Sequence, residues 1–144
     1  MELHNIPPGC FCVPAAVFAI TGDDLQSVLI PAFNRLRDKK RANLHDTITG
    51  ASMPLAVAVL EERGYHVRRY KDGAASGALR AHVATWAKRS LKWPGRPLLI
   101  ATKEHCLVVQ DGKVHDTWEP FGVVGELHPF AKTTVVFAAL VEKV

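Results

Sequence analysis

The chain predicts an α+β domain in which helices come first and a mostly antiparallel sheet second. Three observations carry that expectation. Up to about residue 91, apolar residues recur mainly at helical spacing between cap and stop signals. Beyond the breaker Trp93-Pro94-Gly95-Arg96-Pro97 they fall instead into short apolar or β-branched runs separated by turn residues. Two of those runs flank Asp111-Gly112, a strong short-range hairpin signal. Helices followed by strands point to segregated layers rather than to alternating βαβ units. With 144 residues, 48% of them hydrophobic and 22% charged, one domain over 1–144 with an ordinary core is expected. No internal repeat, low-complexity stretch or domain boundary is visible.

Taken in order, residues 1–11 read as an extended lead-in, because Pro7-Pro8-Gly9 bars helix. A first helix follows from about Cys12, with Pro14 tolerated in its first turn and Thr21-Gly22 as its stop. Asp23 or Asp24 caps a second helix, kinked at Pro31, with Leu25, Val28, Leu29 and Leu36 on one face. Residues 38–50 are polar and basic and read as a loop. Ser52 caps a third helix that runs to about Arg63 and ends at Gly64, with Pro54 in its first turn. Tyr65 to Tyr70 is a short strand, and Lys71 to Gly77 is a flexible connection. A fourth helix from about Ala78 to Leu91 places Leu79, Val83, Trp86 and Ser90 at helical spacing. Strands are then expected at Leu98–Ala101, Cys106–Gln110, Lys113–Trp118 and Thr133–Leu140.

Charge and cysteine content narrow the functional classes. The net charge of +4 arises from 18 basic and 14 acidic residues, with the densest basic run at Arg35 to Arg41. No aromatic residues interleave with that run and no phosphate loop or zinc finger accompanies it, so a solvated helix end is favoured over a nucleic-acid surface. The apolar runs are too short to span a bilayer, and Met1-Glu2-Leu3-His4 lacks the pattern of a secretory signal, so a cytoplasmic protein without membrane partners is expected. Three cysteines, with Cys10 and Cys12 too close in sequence to bridge comfortably, argue for reduced thiols.

Chemistry concentrates at the head of the first helix. A helix N-terminus places partial positive charge beside a thiol and favours its thiolate, the reactive form. The small residues behind Cys12 let that helix pack tightly and hold the sulfur in place. The Asp111-Gly112 hairpin supplies a partner. With those two residues as the loop, Gln110 faces Lys113, Val109 faces Val114, Leu107 faces Asp116 and His105 faces Trp118. His105 and Asp116 are then diagonal neighbours on one face, within reach of a side-chain hydrogen bond. Asp116 is placed to orient the His105 ring and stabilise its charged form while the other ring nitrogen serves a nucleophile. In this register His115 points to the other face, and Cys106 faces away from His105 and reads as a small buried hydrophobe.

The segment CVPAAVFAITG from Cys12 resembles the nucleophile helix of small papain-like cysteine peptidases, above all the C39-like group of bacteria and their phages. Gly50-Ala51-Ser52-Met53 and the helix ending Glu61-Glu62-Arg63-Gly64-Tyr65 are similar to that group's second helical module. Pro97-Leu98-Leu99-Ile100-Ala101, His105-Cys106-Leu107-Val108-Val109, Asp111-Gly112-Lys113-Val114 and Asp116-Thr117-Trp118 are similar to its histidine strand, hairpin and acidic third residue. The resemblance covers about residues 5–120. It implies a papain-like arrangement of N-terminal helices on a C-terminal sheet, and a peptide or protein substrate without a cofactor. It also implies Cys12 as nucleophile, His105 as general base and acid, and Asp116 as the residue that orients His105. Trp118 either covers the His105–Asp116 bond from water or is simply a large core residue.

The chain departs from the family pattern just upstream of Cys12, where papain-like enzymes place a glutamine that donates to the oxyanion. Asn5 or His4 stands in its place, or the backbone N–H of Cys12 acts with less help. Two alternatives follow. One is a weak or inactive papain-like fold that binds protein or nucleic acid. The other is a zinc site of Cys10, Cys12, His105 and His4, disfavoured because one residue separates the two cysteines where structural sites have two or more. Cys10 in place of Cys12 as the reactive thiol is disfavoured because it precedes the helix start.

Overall fold

The computed structural model describes residues 1–7, 11–37, 52–70 and 81–144. The expected 38–50 loop, the 71–77 connection, the start of the fourth helix, Cys10, and Lys39 to Arg41 lie outside the described residues. Among those described, the helices are α1 (Cys12–Thr21), α2 (Ile30–Arg37), α3 (Met53–Glu62) and α4 (Val83–Arg89). The strands are β1 (Tyr65–Arg69), β2 (Leu98–Ala101), β3 (Cys106–Gln110), β4 (Lys113–His115), β5 (Val123–Val124) and β6 (Phe137–Lys143). They form one antiparallel sheet in the order β1-β6-β2-β3-β4-β5. The chain is an α+β domain. No single helix among the described residues is long and apolar enough to cross a membrane.

Pleat alternation divides the core in two. Leu99, Ala101, Cys106, Val108, Phe137, Ala139 and Val141 project into a core shared with α1, α2 and α3. Leu98, Ile100, Leu107, Val109, Val114, Ala138 and Leu140 project into a second core closed by Val83, Trp86 and Ala87 of α4. Every residue of β2 and β3 is therefore buried. This explains why their sequences are continuous apolar runs rather than alternating ones.

Helix α1 is buried almost all round, through Val13, Pro14, Ala15, Ala16, Val17, Ala19 and Ile20. It ends where expected, at Gly22 with φ 68° and its N–H bonded to the Phe18 carbonyl. At α3, the Ser52 hydroxyl accepts from the Leu55 N–H at 3.3 Å. In the hairpin, Asp111 and Gly112 both have positive φ, 52° and 82°, the pair of values that a two-residue type I′ loop needs. The resulting register pairs Gln110 with Lys113, Val109 with Val114 and Val108 with His115.

Four local expectations are corrected. Asp24 caps the second helical segment through the Ser27 N–H at 2.8 Å, but its first turn is π-helical from Leu25 to Leu29 and α2 proper begins only at Ile30. Pro31 cannot donate and its ring would collide with a preceding carbonyl, so the turn before it widens. That insertion rotates the buried face to Leu29, Ile30, Ala32 and Phe33 and leaves Leu36 exposed. Among the described residues the fourth helix begins at Val83, after the antiparallel bridge of His82 to Thr134. Strand β4 stops at His115 rather than Trp118, because Asp116 turns the chain. The last strand runs over Phe137–Lys143, later than expected, where it pairs with both β1 and β2.

Gly22→Ala is expected to destabilise the fold by about 1–2 kcal/mol, the cost of a left-handed L-residue. An added Cβ would also stand 2.5 Å from the His4 ring and displace it. Denaturant unfolding measures this, and Cys12 reactivity is expected to be unchanged because Gly22 lies at the opposite end of α1.

Candidate active site

Cys12 is the first residue of α1, after Phe11 in extended conformation with no side-chain cap. The first N–H groups of a helix have no partner within it. Pro14 has none to offer, and no cap side chain competes for those of Cys12 and Val13. The Cys12 thiol takes the Val13 N–H, the backbone N–H of Cys106 on β3, and the His105 ring as hydrogen-bond partners. Alanines at 15, 16 and 19 are fully buried, and they let α1 lie close enough to β3 for the sulfur to meet the strand's backbone.

His105 stands one residue before β3, closing a turn with Thr102. The Thr102 N–H donates to the His105 carbonyl at 2.8 Å, and the His105 N–H donates to Thr102 Oγ1 at 3.1 Å. Asp116 stands one residue past β4, where Oδ1 accepts the N–H groups of Trp118 at 3.0 Å and Glu119 at 2.8 Å. This is the local turn an aspartate makes with the backbone that follows it. His105 Nε2 donates to Asp116 Oδ2 at 2.7 Å, which leaves Nδ1 for the Cys12 thiol.

A fourth residue, which sequence reasoning missed, completes the cluster. His128 Nε2 meets the same Asp116 Oδ2 at 2.8 Å, and His128 Nδ1 accepts the Phe130 N–H at 3.0 Å. An accepting Nδ1 carries no proton, so Nε2–H is the donor. Phe130 packs against both imidazoles, with ring centroids 5.0 Å from His105 and 5.6 Å from His128. His128 lies outside the hairpin, in a stretch without periodicity, and no spacing rule ties it to Asp116.

Burial and partners pull these groups in opposite directions, and the partners win. Burial raises the Cys12 thiol, but the His105 hydrogen bond, the two backbone N–H groups and the His105 charge bring it below its ordinary value. Burial disfavours a charged His105 ring, yet the hydrogen bonds to Asp116 and Cys12 and their charges raise it to about 9. Burial would raise Asp116, but His105, His128 and the Glu119 N–H hold it well below the usual carboxylate range. The shifts at Cys12 and His105 both favour the ionised forms, a thiolate beside an imidazolium. Cys106 is different: burial pushes its thiol far up, and it faces the α1 core.

Cys12, His105 and Asp116 are thus brought together, and the other candidates are not. The His4 N–H donates to the Ala19 carbonyl at 2.8 Å and its ring lies beside Gly22. That is about seven helical residues, or ~10 Å of rise, from Cys12. His4 is therefore at the wrong end of α1 for the oxyanion or for a shared zinc, and Asn5 is an exposed neighbour of His4 in the lead-in. Among the described residues no group of three or more His, Cys, Asp or Glu side chains is arranged to hold a metal ion. Trp118 is 64% exposed and its ring meets Phe130 edge-on, while Phe130 is the ring packed against His105. His115 opposes Val108 and packs beneath Gly122, and burial and Lys113 lower its pKa. No family model, curated protein or solved structure matches the chain.

Cys12→Ser removes one of the two partners that raise His105. Its ring is expected to titrate below the present value of about 9 and still above the ordinary 6.5, because Asp116 remains. A raised pKa stabilises the fold fully below the unfolded value and loses that contribution as pH rises through the folded one. The unfolding free energy of Cys12→Ser relative to Cys12→Ser/His105→Gln is expected to fall from about pH 6.5 upward. Histidine NMR titration and denaturant unfolding at several pH values check both.

Proposed function

We propose that the protein is a cysteine-type amide hydrolase, a papain-like peptidase of the kind its sequence resembles. The observation that carries this reading is the unbroken hydrogen-bonded order Cys12, His105, Asp116, with the thiol at a helix N-terminus and the carboxylate buried. The Cys12 thiolate attacks the substrate carbonyl carbon, and the carbonyl π electrons move to its oxygen. Collapse of that adduct breaks the C–N bond as the His105 imidazolium gives its proton to the departing amine. A thioester to Cys12 remains. Neutral His105 then takes a proton from water, the hydroxide attacks the thioester, and the acid leaves as the thiolate–imidazolium pair is restored.

Charge on the oxyanion is stabilised by the backbone N–H of Cys12, a donor at the head of α1 with no partner inside the helix. His4 is too distant to assist. Since one lost oxyanion donor costs on the order of 10²–10³ in rate, slow turnover is the expectation.

Cys12 is expected to be alkylated by iodoacetamide at pH 6 at least tenfold faster than Cys10 or Cys106. An ordinary thiol is only about 0.3% ionised there. Peptide mapping by mass spectrometry locates the adduct, and His105→Ala is expected to abolish the selectivity. Equal, slow labelling of all three thiols that His105→Ala leaves unchanged would instead mark the fold as a non-catalytic binding module.

A further inference from the structure

Among the described residues, His128 is a buried titratable side chain that no step of the proposed hydrolysis uses. It is 3% exposed, and both of its ring nitrogens are committed. Phe130 N–H fixes Nδ1 as an acceptor, so Nε2–H points at Asp116 Oδ2. That oxygen is the same one that His105 uses. The donors therefore converge on one oxygen: Phe130 N–H fixes His128, whose Nε2–H meets Asp116 Oδ2, and His105 donates to the same oxygen from the side that faces Cys12.

We infer that His128 is a positioning residue of this site, whose Nε2–H fixes Asp116 Oδ2 where it must stand to hold His105 toward Cys12. What it positions rests on the triad reading above. The terminal carboxyl torsion of an aspartate is broad and its rotation carries both oxygens together, so the two backbone bonds to Oδ1 restrain Oδ2 only as far as they hold that torsion. A second imidazole donor on Oδ2 narrows it further. It also supplies what a buried carboxylate oxygen needs without adding a second cation beside His105. Phe130 serves both rings, through its N–H to one and its ring against the other, so residues 116–130 act as one strap on the catalytic histidine.

His128→Gln keeps a donor at the Nε2 position, whereas His128→Met keeps the length of the side chain and has no donor. In folded protein at pH 6, His128→Met is expected to slow iodoacetamide labelling of Cys12 about tenfold, while His128→Gln stays within about threefold of wild type, as for loss and retention of one charge-assisted bond. Equal rates in the two variants would overturn the inference, since a merely space-filling histidine does not distinguish them. Should His128→Met fail to fold, nitrogen NMR of histidine-labelled wild type decides: an Nε2–H, unprotonated-Nδ1 tautomer for His128 supports the role, and an Nδ1–H tautomer overturns it. His105→Ala in the same labelling assay separates the two levels. If it leaves Cys12 unaffected, the triad reading falls and His128 with it. If it slows Cys12 while His128→Met does not, only the role of His128 falls.

Discussion

One carboxylate oxygen, Asp116 Oδ2, receives two imidazole N–H groups inside the protein, and the last third of the chain is arranged to keep it there. A buried carboxylate costs several kcal/mol unless its lone pairs are occupied. Here four donors meet it: Trp118 and Glu119 from the backbone, His105 and His128 from side chains. They draw on three pieces of structure. The two backbone donors come from the turn that ends β4, His105 from the turn that begins β3, and His128 from the chain's return after β5. That sets why β4 is only three residues long and why the loop beyond it folds back.

The thiol side of the site depends on a different constraint, the close approach of α1 to the sheet. Nearly every side chain of α1 is buried, so the helix cannot slide or rotate without disturbing the main core. A helix of larger residues would stand further off, and the Cys106 N–H would no longer reach the Cys12 sulfur. The same burial that stabilises the fold thus fixes the Cys12 thiol. Reactivity and stability are coupled at the alanines, which have no chemistry of their own.

How much of this the sequence displays depends on whether a signal is local. Pro14 and Gly22 bound α1 and Asp111-Gly112 sets the hairpin register, because each residue acts on the backbone beside it. The His82–Thr134 bridge and β5 answer to tertiary pairing and leave no periodic trace. His4 misled through proximity in sequence. The lead-in runs back along α1, so a residue eight before Cys12 meets Ala19 instead. Register placed His105 and Asp116 together, but strict alternation would also have put them on the α4 face with Leu107 and Val114, away from Cys12. They reach it because each stands one residue beyond its strand, where the pleat no longer dictates direction.

The donor pattern also decides which protons can move. Asp116 accepts four hydrogen bonds, which occupy its lone pairs and favour the charged carboxylate. His128 cannot pass a proton inward, because its Nδ1 faces an amide that only donates. Exchange is confined to the Cys12 sulfur, the two nitrogens of His105 and whatever occupies the cleft before them. A charged carboxylate favours the imidazolium, and with it the thiolate, in a site where burial alone would disfavour both. The ionic pair is thus a consequence of the carboxylate's hydrogen bonds, and these in turn are a consequence of how β3, β4 and the return after β5 end beside one another.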